Sequence, residues 1–288
     1  MENKNVLISV SYGALDNAAL DADVGRIEAA MLNILPGWRL SRAFTSARVR
    51  SFLSKRGKEV PDAAGAIAQA RAAGAEHIAL ATLLISPGEE YESVLAAADG
   101  LPVASPLLAE DKDLDALAAY YAGVQHACGT PLLLMGHGHP TNGNPAYQRL
   151  RQRLPEQVCL ACLSGADNLP ELLPELLSQP ARRITLEPLL MSVGGHTLRD
   201  MAGKEPDSWK SQLEKAGFTV DCHLTGMGRL EIAQRIYGRH RKLTAFFVAL
   251  GVDPETASKD ACKVEHDLSE ETYSKMIAFA EKAEKEHA

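Results

Sequence analysis

PLLLMGHGHP, residues 131–140, decides the fold of this chain. An unbroken apolar run closed by a glycine, with no helical spacing, reads as a strand buried on both faces. Gly136 and Gly138 stand on either side of His137. They suit a sharp turn and the close approach of a ligand. A histidine at the carboxyl end of a strand also stands where parallel α/β sheets bind their ligands. By itself the motif leaves two readings of His137 open, a metal-binding or catalytic group and a hydrogen-bonded turn residue.

Outward from this stretch, similar runs recur as NVLISVS (5–11), WRLSRAF (38–44), HIALATLLI (77–85), LPVASPLL (101–108), QVCLACL (157–163), RITLEPLLM (183–191) and FTVDCHL (218–224). Helix-like segments at 20–33, 62–73, 113–126, 145–154 and 208–216 lie between them. Strands alternating with helices predict an α/β fold with mainly parallel sheets. A faint internal repeat runs through the pattern: VLISVSYG matches PLLLMGHG, and LLISPGEEY (83–91) matches LLMSVGGHT (189–197) without gaps. This superposes Tyr12 on His137 and Glu90 on His196, so two similar halves place these four residues around one cleft. The expected division is 1–128, 129–238 and a C-terminal all-helical extension at 239–288.

Composition limits the function. The 288 residues are 46% apolar and carry a formal net charge of -7. That balance argues against general nucleic-acid binding but not against an acidic small molecule met by local arginines. No apolar run approaches the length of a membrane span. The start, MENKNVLISVSYG, has neither a basic signal-peptide region nor a cleavage site, which predicts a cytoplasmic protein. Cys128, Cys159, Cys162, Cys222 and Cys262 are an odd set without a disulfide pattern. Cys159 and Cys162 read as buried small hydrophobes.

The second chemical motif is VGGHTLRDM (193–201), again directly after a strand. His196 follows two glycines, as His137 follows one. Two imidazoles with a carboxylate suit divalent cobalt, nickel, iron or zinc. The same rings can accept protons near neutral pH.

At this point the chain resembles a known family, the anaerobic sirohydrochlorin cobaltochelatases of the CbiK type, relatives of ferrochelatase. The resemblance covers residues 5–240. It rests on SYG, RAFTS (42–46), ISPGEEYE (85–92), MGHG (135–138), GGHTLRDMAG (194–203), PDSWK (206–210) and GMG (226–228). It implies two α/β halves with the tetrapyrrole in the cleft between them. It also implies a metal held by His137, His196 and a carboxylate. That carboxylate normally opens an EGYP motif, where this chain reads DNLP, so Asp167 stands in its place. Asp167 is also open to reading as a helix N-cap.

Glu90 matches an active-site glutamate and is expected to accept protons. Tyr12, Arg42, Thr45 and Ser46 are expected to meet the substrate, since arginine pairs bidentately with carboxylates. Arg50 reads as a solvated helix face, and His139 as a nearby or exposed residue. The implied substrates are sirohydrochlorin and Co2+, with Ni2+ or Fe2+ as alternatives and no permanently bound cofactor. A non-catalytic metal-binding or sensing protein is the alternative of a different class.

The tail differs. RHRKLTAFFVALGVD (239–253) and DACKVEHDLSEET (260–272) resemble the dimerisation and metal-sensing segment of diphtheria-toxin-repressor and manganese-repressor type regulators. That resemblance implies a possible second metal site at His240, Cys262, Glu265 and His266, and a homo-oligomer formed through these helices. No helix-turn-helix precedes the segment, so nucleic acid is not an expected partner, and without an apolar run of span length neither is a membrane.

Overall fold

In the computed structural model most of these runs become strands, and the most apolar of them, 5–11 and 132–136, are buried on both sheet faces. The structure describes residues 4–227 except 16 and 142, and beyond them 246–248, 250–253, 256–257, 260, 272 and 275–276. Strands β1 (Asn5–Ser11), β2 (Trp38–Phe44) and β3 (His77–Leu83) form one sheet in the order β2-β1-β3. Strands β4 (Leu132–Gly138), β5 (Val158–Ser164), β6 (Arg183–Leu189) and β7 (Thr219–Cys222) form another in the order β5-β4-β6-β7. Every pairing is parallel.

Parallel neighbours need long crossovers, and helices supply them. They are α1 (Asn17–Ile34), α2 (Ala47–Ser54), α3 (Ala63–Ala72), α4 (Glu89–Ala98), α5 (Asp111–Cys128), α6 (Pro145–Arg151), α7 (Leu169–Ser178) and α8 (Trp209–Lys215). A π-helix spans His196–Met201. Several starts are set by side-chain caps: Ser46 accepts from the Val49 amide, Asp62 from Gly65, Asn168 from Glu171 and Ser208 from Ser211. Each such cap contributes about 1 kcal/mol.

Among the described residues, a core cluster packs against each sheet. Val6, Ile8 and Val10 of β1 pack with Ala66 and Ala70 of α3 and Val94 of α4. In the second sheet, Leu133 and Met135 of β4 pack with Leu186 of β6, Leu172 of α7, and Trp209 and Leu213 of α8. Burying one such large side chain stabilises by roughly 1.5–3 kcal/mol. Cys159 belongs to this second core, so burial accounts for it as a small hydrophobe.

The repeat seen in sequence is a repeat of topology. The middle, flanking and third strands fall in the same order in both sheets. Two sequence expectations need correction. Residues 101–108 form no strand; they make a single parallel bridge, Leu80 to Val103, at the edge position that β7 fills in the other sheet. Pro102 and Pro106 interrupt the run, and proline donates nothing to a ladder. The boundary at 128 also misplaces α5, which packs against α6 and β5 of the second sheet. Its apolar stripe, Leu114, Leu117 and Tyr121, is buried, and Asp111 binds Arg149 and Arg153 of the α6 region.

The chain divides into compact units 1–230 and 231–288. In the second unit, Asp253 caps a turn by accepting from the Thr256 amide at 3.1 Å. Among the described residues, no helix is long and apolar enough to cross a membrane.

Candidate functional site

His137 is the sixth residue of β4, and its position depends on both neighbouring glycines. A Cβ on Gly136 would lie 2.5 Å from the Tyr147 ring, and one on Gly138 would lie 2.2 Å from the Ser164 carbonyl. Gly138 also has φ of +70°. The glycines thus admit the protein's own packing, where the sequence suggested room for a ligand. Tyr147 is 3% exposed, and burial pushes its hydroxyl up to about 12. That hydroxyl bonds Ser86, in the β3–α4 connection, and the backbone beside His137. Beyond the strand, Asn144 accepts from the His139 amide at 2.6 Å and donates to the Ser164 and Ala166 carbonyls at 2.9 Å. The loops after β4 and β5 are therefore tied together.

His196 opens the π-helix. Its i→i+5 character is visible in the Ala202 amide, which donates to the Thr197 carbonyl at 3.0 Å. Such helices are rare and recur at functional sites. His137 and His196 meet edge to face, with ring centroids 4.9 Å apart and an interplanar angle of 82°. The Nδ1 of His137 lies 2.9 Å from the Gly138 carbonyl. The Nδ1 of His196 lies 2.6 Å from Asp200 Oδ2. A carbonyl and a carboxylate oxygen only accept, so each bond assigns the proton to Nδ1 and leaves the Nε2 lone pair free in the neutral ring. Asp200, inside a quoted motif but given no role from sequence, is legible at the i+4 position from His196.

The other candidate site residues are less closely grouped. Asp167 has a left-handed backbone, φ +62°, and both its carboxylate oxygens are engaged. Gln148 donates to one at 3.0 Å and Arg151 to the other at 3.1 Å. The N-cap of α7 is Asn168, one residue later, so the N-cap reading of Asp167 is corrected. Among the described residues, no group of three or more His, Cys, Asp or Glu is placed to hold a metal ion. Glu90 lies in the first turn of α4, half-buried. His139 stands 3.9 Å from Glu89.

Of the expected substrate contacts, Tyr12 is 54% exposed directly after β1. Arg42 is committed elsewhere. Its Nε donates to Glu28 at 2.8 Å and its Nη1 to Asp21 at 2.6 Å, and the Glu28 carboxylate raises the guanidinium pKa further. Ser46 is the buried cap of α2, and Thr45 Oγ1 is buried without a partner among the described residues. Arg50 is not a solvated face; it donates to the Phe44 and Thr45 carbonyls at 2.6 and 2.7 Å. An open cavity of about 640 Å3 lies beside Asp200, with Glu171, Asp207, Cys162 and Trp209 in its wall. Burial pushes the Cys162 thiol up to about 12, so it stays protonated there. His240, Cys262, Glu265 and His266 lie outside the described residues.

Comparison with known proteins shows which families the chain is similar to. A family model described as cobalt chelatase (CbiK) matches residues 4–245. A second, described as the metal binding and dimerisation domain of iron dependent repressors, matches residues 225–287. A sirohydrochlorin cobaltochelatase of Nitratidesulfovibrio vulgaris is 32% identical over 230 residues, covering 75% of this chain and 81% of its own. The sirohydrochlorin cobaltochelatase of Salmonella typhimurium is 25% identical over 252 residues, covering 82% of this chain and 95% of its own. An uncharacterised HTH-type transcriptional regulator of Methanocaldococcus jannaschii is 43% identical over 64 residues, which cover 22% of this chain and 50% of the regulator.

Proposed function

Because the chain belongs to the cobalt chelatase (CbiK) family, we propose that it inserts Co2+ into sirohydrochlorin in anaerobic cobalamin biosynthesis, with His137 and His196 presenting the metal to the ring. The observation that carries this reading is the histidine pair itself. Two rings from distant segments meet at 4.9 Å, each with its Nδ1 held by an oxygen. Two Nε2 lone pairs are thereby offered to one divalent ion, and imidazole suits such an ion.

Insertion replaces two pyrrole N–H protons with one divalent cation, so two protons leave for every metal that enters. Histidine ligands suit this exchange. Each is released as a ring nitrogen takes its place, and a released imidazole is a base. Asp200 accepts from His196 and stabilises the ring as it gains a proton, in the manner of other carboxylate–histidine–metal sets. Glu90, in the first turn of α4, is a further proton acceptor in this reading. Asp167 is a weaker ligand than either histidine, since coordination has to displace Arg151 or Gln148.

Absorbance of sirohydrochlorin with purified protein and Co2+, Ni2+ or Fe2+ tests the reading, and the expected order of rates places Co2+ first. No metal-dependent spectral change above the protein-free rate would refute it. The match of the tail to a dimerisation domain supports a homo-oligomer. Removing residues 242–288 is expected to leave insertion largely intact and to lower the number of chains per assembly measured by light scattering. It is also expected to reduce metal bound per chain if His240, Cys262, Glu265 and His266 form a site.

A further inference from the structure

His196 follows a connection, residues 190–195, that ends in Gly194 and Gly195. Glycine pairs lose the most backbone freedom when ordered, so such a loop needs anchors to hold a ligand in place. One anchor lies within the same half: the Met227 amide donates to the Leu190 carbonyl at 2.8 Å. The other comes from the opposite half. Asp23 of α1 is fully buried, and its Oδ2 accepts from the Val193 amide at 2.8 Å, across 170 positions of sequence. A carboxylate taken wholly out of water is costly unless its hydrogen bonds are made, so this one strongly favours a single loop position.

The junction is also tight. A Cβ on Gly226 would stand 2.7 Å from Asp23 Oδ2 and 2.8 Å from the Ser192 Cα. The carboxylate is thus closed in by the loop on one side and by the segment after β7 on the other. The helix that carries it is fixed in turn, because Asp21 and Glu28 of α1 both bind Arg42 of β2. A continuous set of contacts therefore runs from β2 through α1 to Val193, three residues before His196.

We infer that Asp23 is a positioning residue for metal insertion: from the first half it sets where His196 stands against His137. The inference rests on the reading of the histidine pair given above. A displacement on the order of 1 Å at a reacting centre costs up to about 100-fold. Asp23→Ala is therefore expected to lower kcat/KM for Co2+ insertion by about tenfold or more. The loss is expected in kcat and in KM for Co2+, with KM for sirohydrochlorin unchanged. Asp23→Asn keeps an acceptor for the Val193 amide and is expected to restore most of the rate. Gly226→Ala, which crowds the same junction without removing the carboxylate, is expected to raise KM for Co2+ as well.

The test is steady-state insertion by full-length protein with each variant, beside His137→Ala and His196→Ala and with melting curves of all. A wild-type Asp23→Ala alongside inactive histidine variants would overturn this inference alone. Active histidine variants would overturn the functional reading and this inference with it. Equal changes in both KM values, tracking the fall in Tm and not rescued by asparagine, would make Asp23 a merely structural residue and also overturn it. Should Asp23→Ala fail to fold, Asp23→Asn and Gly226→Ala decide by the same KM comparison.

Discussion

The two halves of residues 1–230 share a strand order but differ in what they place at the ends of corresponding strands. At the carboxyl end of the central strand, the first half carries Tyr12, one residue past β1, and the second His137, the sixth residue of β4. After the third strand, the first half continues into an α-helix with Glu90 in its first turn. The second turns into a π-helix beginning with His196. At the fourth position, one sheet has a single bridge and the other a full strand, β7. A doubled backbone thus supports two unlike chemistries. In the proposed reading the second half carries the nitrogen ligands, while the first contributes Glu90 at the start of α4, the Ser86 partner of Tyr147, and Asp23.

The sharpest way to break this division is to delete its ligands. His137→Ala and His196→Ala are each expected to lower insertion by about 100-fold or more, the scale of a lost reacting geometry. Circular dichroism should stay unchanged, because neither ring belongs to the core clusters of the described residues. Tyr12→Phe, at the equivalent position of the first half, is expected to change the rate by much less. Comparable losses at Tyr12 and His137 would end the asymmetry.

A smaller effect is expected one step out. Asp200→Ala frees Nδ1 of His196 to change tautomer, and loss of such a partner typically costs about 10–100-fold in metal affinity or activity. Asp167→Ala is expected to weaken Co2+ binding less than either histidine change, because its carboxylate is already bound to Arg151 and Gln148. Isothermal titration with Co2+ ranks the four variants, and a loss at Asp167 equal to that at His196 would make it a full ligand.

The smallest effect concerns stability, and it too lies in the second half. Glu187 of β6 is buried, 3% exposed, beside His223 at 3.2 Å. Burial raises its pKa, and the hydrogen bond from His223 only partly offsets this. A carboxyl whose folded pKa is raised favours the folded state below its unfolded pKa. That contribution is lost as pH rises through the folded value. Glu187→Gln, which cannot ionise, is therefore expected to gain in Tm relative to the unsubstituted protein as pH rises above about 4.5, the ordinary carboxyl value. The gain should vanish in acid, and one that grew towards low pH would reverse the assignment.

Much of this molecule was written locally. The apolar runs at 5–11, 38–44, 77–85, 131–136, 157–163 and 183–191 became strands within a few residues, because period and burial are properties of a short window. His137 and His196 were visible for the same reason: each stands beside glycine at or beyond the end of an apolar run. Where a local signal was ambiguous, tertiary packing chose. LPVASPLL has the composition of a strand, yet its prolines left one bridge. The break at Gly129 resembles a domain boundary, yet α5 buries its stripe against the second sheet.

The partners of charged groups were decided only by the fold. Arg42 was expected to meet a substrate carboxylate, but Glu28 and Asp21 lie closer once α1 packs on β2. Asp167 sits at the motif position of a ligand, but α6 brings Arg151 and Gln148 to it. Asp23 carried no signal at all, since nothing in a helical stretch announces an amide 170 residues away. Residue type and spacing determine which groups can bind a metal or a proton. Which of them are free to do so depends on neighbours distant in sequence, because a hydrogen bond is satisfied by whatever the folded chain brings within about 3 Å.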